Sequence, residues 1–317
     1  MLKMISLAAC FLCPSLAFSD EVAFIRYFES NGVVTLETGG GASAQTPFVL
    51  ASVGKTMTSV AVLRLVEAGA FSLDELARHW VDDDIRDGLG ELEGVTLRHL
   101  LTMTSGLPDY LSDEYVEDAL ADPDHVQNPE TALSYAFGED ALFRVARGFD
   151  YSNTNYVLLG HILENATGMT YAQAMERHVF KPAGMTRSFV FGSRPLPRGL
   201  PNGHEGGHHI RDYYEGDGFG DGGVIATAPD LARFYKALFA ERSLLSGKMM
   251  GELLRDPRGE GYGMGIEIED SIYGHSGGDL GFSTDVRMDV ATGDIALIFV
   301  AEGDAATDWA MDTILKQ

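Results

Sequence analysis

Cysteine is nearly absent from this 317-residue chain: there are two, Cys10 and Cys13. Both fall in an N-terminal segment that reads as a cleaved leader. The mature chain then has none, which excludes disulfides, thiolate chemistry and cysteine-based metal sites. Oxidising compartments permit disulfides but do not require them. Positive charge is also scarce, 23 basic against 47 acidic residues, for a formal net charge of -24. Such a surface repels nucleic acid and anionic membranes, so neither is expected as a partner. After Lys3, the only lysines are Lys55, Lys181, Lys236, Lys248 and Lys316. No internal repeat, low-complexity tract or membrane-spanning apolar run is found.

What is present is enough to bury a sizeable core, since 45% of residues are hydrophobic and 10% aromatic. One large domain or two interleaved lobes is the natural expectation. Lys3, the apolar run Ile5 to Phe18, and Ala17-Phe18-Ser19 form the three regions of a secretory signal peptide. Cleavage is expected after Ser19, giving a periplasmic or secreted protein with no membrane attachment. Leu7-Ala8-Ala9-Cys10 resembles a lipoprotein box but lies too near the start to follow a full apolar segment.

Val22, Phe24 and Tyr27, then Val33, Val34 and Leu36, read as two strands joined at Asn31-Gly32, a strong hairpin signal. A helix is expected from about Ser52 to Ala68, stopped by Gly69. Ser72 to Glu75 and Thr170 to Gln173 have capping-box spacing. Thr96 is placed to cap a helix through Met103, and Pro229-Asp230 to open one through Leu238. Short strands are expected at Tyr262 to Ile268, Ser271 to His275, Gly281 to Met288 and Asp294 to Ala301, with a helix from about Ala305. Strands at both chain ends must meet to bury their apolar faces. The predicted fold is α+β: an antiparallel sheet from both chain ends (about 20–72 and 258–317), with a mainly helical lobe (about 73–257) inserted between. A site is expected in the cleft.

Three segments could carry chemistry. Ser52-Val53-Gly54-Lys55 puts a hydroxyl and an amine on one face of a helix start. A serine is a weak nucleophile until a base takes its proton, and a lysine serves if burial lowers its pKa. Tyr151-Ser152-Asn153 offers a phenol to relay protons and an amide to hold substrate or lysine. Taken alone it reads as a polar turn before a helix. His275-Ser276-Gly277-Gly278 follows a short strand and precedes another; its glycines would let a substrate backbone approach closely. Taken alone it reads as a Gly-rich turn.

Together, in this order and at these separations, the three segments resemble the serine β-lactamase and penicillin-binding superfamily, in its class C, DD-peptidase and esterase branch. Thr96 to Pro108, Tyr151 to Tyr156 and Gly222 to Asp230 resemble further segments of that group. The resemblance implies the β-lactamase/transpeptidase-like fold. It implies that Ser52 attacks an acyl carbon, that Lys55 and Tyr151 share general base and acid work, and that Asn153 orients substrate or Lys55. The N–H groups of Ser52 and Gly278 would form an oxyanion hole, with His275, Ser276 and Gly277 beside the substrate. No cofactor is implied.

Three features depart from the family pattern. His275 stands where many β-lactamases carry lysine, and an unperturbed histidine is mostly neutral at pH 7, which weakens carboxylate recognition. The mature chain begins at the hairpin, where many relatives have an N-terminal helix. Gly203 to His209 carries three histidines and a glutamate, but it lacks zinc-site spacing and reads as a loop at the cleft rim. His79, His99, His161 and His178 read as core or surface residues. The expected activity is acyl hydrolysis of a small peptide or ester. Candidate substrates are the D-alanyl-D-alanine end of peptidoglycan stem peptides or a related amide, a short-chain ester, or a β-lactam hydrolysed weakly. A non-catalytic penicillin-binding sensor is the alternative from another class. Export to where the cell wall lies favours the peptide.

Overall fold

The computed structural model describes residues 22–122 and 128–317. The leader, residues 1–19, lies outside the described residues. In chain order the strands are β1 (Phe24–Ser30), β2 (Val33–Gly39), β3 (Phe48–Val49), β4 (Phe189–Val190), β5 (His204–Glu205), β6 (His208–His209), β7 (Val224–Ala226), β8 (Glu267–Glu269), β9 (Ile272–Asp279), β10 (Phe282–Asp289) and β11 (Ile295–Val300). Asn31 and Gly32 take φ of 51° and 75°. This is the backbone a two-residue primed turn needs, and it sets Ser30 opposite Val33.

Six antiparallel strands form the main sheet, in the order β2-β1-β11-β10-β9-β8. The chain ends meet at its centre, where Phe24 faces Val300 and Tyr27 faces Leu297. Alternation along each strand sends side chains to two faces. Ile25, Tyr27, Leu297 and Phe299 enter the main core, where the Phe48 ring lies 5.4 Å from Phe299. Ala296, Ile298 and Val300 face the other way, onto Ala310 and Ile314 of the Trp309–Leu315 helix. Each buried Val, Leu, Ile or Phe contributes about 1.5–3 kcal/mol relative to exposure. Neither terminal segment can therefore leave the sheet cheaply.

The helix Gly54–Glu67 has eleven of its fourteen residues buried, so it is a central element rather than a surface one. Helices Leu97–Leu101, Thr154–Thr167, Tyr171–Met175 and Ala228–Tyr235 come from the middle of the chain. Thr96 and Thr170 cap their helices, each completed by the side chain three residues on. A second sheet, β3-β7-β4, joins Phe48–Val49 to strands from mid-chain. It delivers the backbone to Ser52. Buried Asp230 accepts hydrogen bonds from Arg187 N (2.7 Å), Ser188 Oγ (3.0 Å) and Arg233 Nη1 (2.6 Å). Its place in the Gly222 to Asp230 segment is thus structural.

Three local expectations change. Ser72 to Glu75 starts no α-helix. The Glu75 side chain does accept from Ser72 N (3.2 Å), but Leu76 is drawn out to bridge Thr96, leaving only a 3-10 turn at Ala77–His79. The strand expected from Tyr262 shrinks to β8, because Gly261 and Gly265 take positive φ and interrupt the ladder. His275 to Gly278 is not a turn. β9 runs through it, with His275 opposite Val286 and Gly277 opposite Thr284, and the chain reverses only at Leu280-Gly281.

Candidate active site

Ser52 sits on a 3-10 turn, Ala51–Val53, that feeds directly into the helix Gly54–Glu67. Ala51 has φ 48°, a left-handed conformation that costs a non-glycine residue about 1–3 kcal/mol and persists only where the surroundings enforce it. Leu50 N donates to Val224 O (2.8 Å), fixing the turn from the second sheet. The β9 edge fixes it from the other side. A Cβ on Gly277 would lie 2.7 Å from Leu50 O and 3.1 Å from Ser52 N, so only glycine lets the strand approach this closely. Gly277→Ala is expected to displace the Ser52 turn and lower kcat/KM by about 10- to 100-fold, in line with a misplacement of about 1 Å. Steady-state rates with a thermal unfolding control check this.

Lys55 is fully buried. Its ammonium donates to Ser52 Oγ (2.9 Å), Asn153 Oδ1 (2.7 Å) and the Asp221 carbonyl (2.8 Å). These bonds use all three of its protons. Burial pulls its pKa down to about 8 against the opposing pull of Asp221, Asp109 and Asp279. Asn153 is held in turn by Asp109, to which its N and Nδ2 donate at 3.0 and 2.9 Å. Tyr110 donates its hydroxyl to Asp221 Oδ2 (2.8 Å).

The Tyr151 ring centroid is 5.0 Å from Lys55 Nζ, and its buried hydroxyl faces the Ser52 side chain without a well-aligned hydrogen bond among the described residues. Burial raises the phenol above its ordinary range, although the Ser52 hydroxyl pulls it down. Tyr151 therefore keeps its proton at neutral pH, whereas Lys55 can give its proton up near pH 8. The environment separates two groups that the sequence left sharing one task.

The third segment divides. Gly278 lines the same cavity as Ser52 and Asn153, and Gly277 backs the Ser52 turn. His275 is buried, 1% exposed, with its Nε2 3.1 Å from the Tyr262 hydroxyl and its ring 6.1 Å from Tyr151. Burial pushes its pKa down to about 4 despite Glu267 nearby, so it is neutral at pH 7. Ser276 donates its hydroxyl to Glu267 Oε1 (2.8 Å). His275 thus packs beside Tyr151, Ser276 is tied to Glu267, and neither lines the cavity. Burial raises Glu267, but His275, Arg287 and the Ser276 hydrogen bonds outweigh it and hold the carboxylate at about 2. Arg287 lies 2.6 Å away.

The sequence reading missed Asp109, Tyr110, Asp221, Tyr262 and Asp279. Asp109 follows the Ser-Gly-Leu-Pro stretch and Asp221 precedes Gly222-Gly223, so adjacency to segments already noted was the available signal. The histidine-rich stretch forms the hairpin β5–β6, which docks on the β9–β10 turn: Gly281 N donates to Glu205 Oε2 (2.9 Å). It lies outside the cavity lining. Among the described residues no group of three His, Cys, Asp or Glu is placed to hold a metal ion. A larger cavity shares Phe191 and Phe219 with this one and contains neither Ser52 nor Asn153.

The β-lactamase family model matches residues 20–316. The chain belongs to the β-lactamase family. It is 30% identical to Penicillin-binding protein 4* of Bacillus subtilis, an alignment covering 82% of this chain and 62% of that protein. Protein flp of Staphylococcus aureus is 33% identical over 49% of this chain and 32% of its own length. The chain thus spans less than two thirds of these curated relatives. Among solved family folds, a penicillin-binding protein from Bacillus halodurans superposes with TM-score 0.79 at 27% identity, covering 92% of this chain and 94% of that one. A D-stereospecific amidohydrolase from Streptomyces shares the fold at TM-score 0.80 and 23% identity, covering 93% and 94%. Family, fold and the Ser52–Lys55 geometry support a serine hydrolase of the β-lactamase fold.

Proposed function

We propose that the protein hydrolyses amide bonds of small D-amino-acid peptides or amides, including the D-alanyl-D-alanine type, through an acyl-enzyme on Ser52. The observation that carries this reading is the 2.9 Å bond between Ser52 Oγ and a fully buried Lys55 whose pKa is drawn toward 8. Neutral Lys55 takes the Ser52 proton as Oγ attacks the acyl carbon. The N–H groups of Ser52 and Gly278 meet the oxygen that becomes negative. Collapse of the tetrahedral intermediate breaks the C–N bond. The leaving amine takes a proton from the Tyr151 hydroxyl, which Lys55 replenishes. Water, deprotonated by Lys55, then releases the acid and restores Ser52. The name of the D-stereospecific amidohydrolase supports the D-amide class, and that of Penicillin-binding protein 4* supports a site that takes penicillin.

A second reading, a short-chain esterase, is favoured by one observation: buried, neutral His275 supplies no fixed cation for a substrate carboxylate. Initial rates on D-alanine amide, its L-isomer, a D-Ala-D-Ala peptide, benzylpenicillin and p-nitrophenyl butyrate decide between them. The proposal expects at least about a tenfold preference for the D-amide over the L-amide. Hydrolysis of the ester alone would replace it with the esterase. The predicted export belongs to the same proposal, and N-terminal sequencing of the secreted protein tests the Ser19 boundary.

A further inference from the structure

We propose that Asp279 selects substrates bearing a positively charged amino group on the acyl side of the bond, so that the site acts on free amino-terminal D-amino-acid amides or peptides. The inference rests on the Ser52 reading and narrows its substrate class.

The placement follows from the strand. Side chains alternate along β9. The Gly277 side faces Leu50 O and Ser52 N, so Asp279, two residues on, projects to the same side. The cavity that holds Ser52 is lined by Asp279 and Asp221. No arginine or lysine is among its described lining residues. Lys55 lies beside Ser52, but its three protons are already committed. The Tyr110 hydroxyl satisfies one oxygen of Asp221. Asp279 accepts a hydrogen bond from Leu280 N (2.8 Å) and is also steadied by the Tyr214 hydroxyl, but no arginine, lysine or histidine pairs with it directly among the described residues. It is partly exposed to the cavity, yet burial raises its carboxyl to about 7. Lys55 acts on Asp279 only through space, and a desolvated carboxyl with no cation bonded to it gains most from one that arrives. A substrate ammonium would supply it, whereas a substrate carboxylate would meet Asp221 and Asp279 with like charge. The net charge of -24 further concentrates cations around the protein.

The test measures kcat/KM of the full-length protein on D-alanyl-p-nitroanilide and on N-acetyl-D-alanyl-p-nitroanilide, which differ only in the charge of the amino group. The wild type is expected to prefer the free amine by about 30-fold, the range of one charged hydrogen bond. Asp279→Asn should bring that ratio close to one, and Asp279→Glu should keep most of it. Equal rates on the two substrates in the wild type, or an unchanged ratio in Asp279→Asn, would overturn the assignment. Labelling of the wild type with a fluorophosphonate is read separately by peptide mass. An adduct on Ser52 beside a ratio of one sinks the Asp279 inference alone, whereas no adduct and no turnover sinks the Ser52 reading and this one with it.

Discussion

Ser52→Ala is expected to lower the rate on the best substrate by about 10⁴-fold or more and to abolish covalent labelling. The magnitude follows from losing the atom on which the proposed acyl-enzyme forms; residual rates in such variants come from the oxyanion hole and binding. The loss should fall on kcat, because the cavity walls formed by Tyr110, Asn153 and Gly278 remain. Stability should change little or rise slightly. The variant removes one hydrogen bond from Lys55, which keeps Asn153 and the Asp221 carbonyl, and alanine fits the same turn. Intact mass after a fluorophosphonate or penicillin, beside steady-state rates, is the measurement. A rate in Ser52→Ala within tenfold of the wild type would move the nucleophile elsewhere.

Lys55 carries the second large effect, and it is read best through pH. With a pKa of about 8, the amine is about 1% neutral at pH 6 and about 90% neutral at pH 9. If neutral Lys55 is the base, kcat/KM must climb tenfold per pH unit below pH 7 and level off above pH 8. Burial has raised the Tyr151 phenol far from that window, so Tyr151→Phe should slow the reaction yet leave the inflection near pH 8. Lys55→Ala should cost about 10³-fold and remove the inflection. An inflection that survives in Lys55→Ala, or one that vanishes in Tyr151→Phe, reverses the division of labour. Asp279 also titrates near 7. The profile is therefore measured with an uncharged substrate, on which the charge of Asp279 bears least.

The local signals that held share one trait: a few adjacent residues satisfy them completely. Asn31-Gly32 makes its own turn, and Thr96 with His99 makes its own cap. The Ser52–Lys55 pair needs only one helical turn to come together, and the structure delivers it at 2.9 Å. Where distant partners competed, the local reading gave way. Ser72 to Glu75 had the residues for a helix start, yet the pull of Leu76 toward Thr96 left a turn. The glycines of His275 to Gly278 suggested a loop, yet β10 supplied a complete ladder and made them strand.

From the order of its residues this protein declares its family and its sheet from both chain ends, and it singles out Ser52, Lys55, Tyr151, Asn153 and Gly278 as candidates, because motif spacing and alternation are properties of short stretches. The fold alone decided their chemical states. Burial set Lys55 near 8 and His275 near 4 and raised Tyr151, and the fold brought Asp221 and Asp279 to the cavity that Ser52 lines. Desolvation and long-range charge depend on what surrounds a group in three dimensions, which spacing along the chain does not encode.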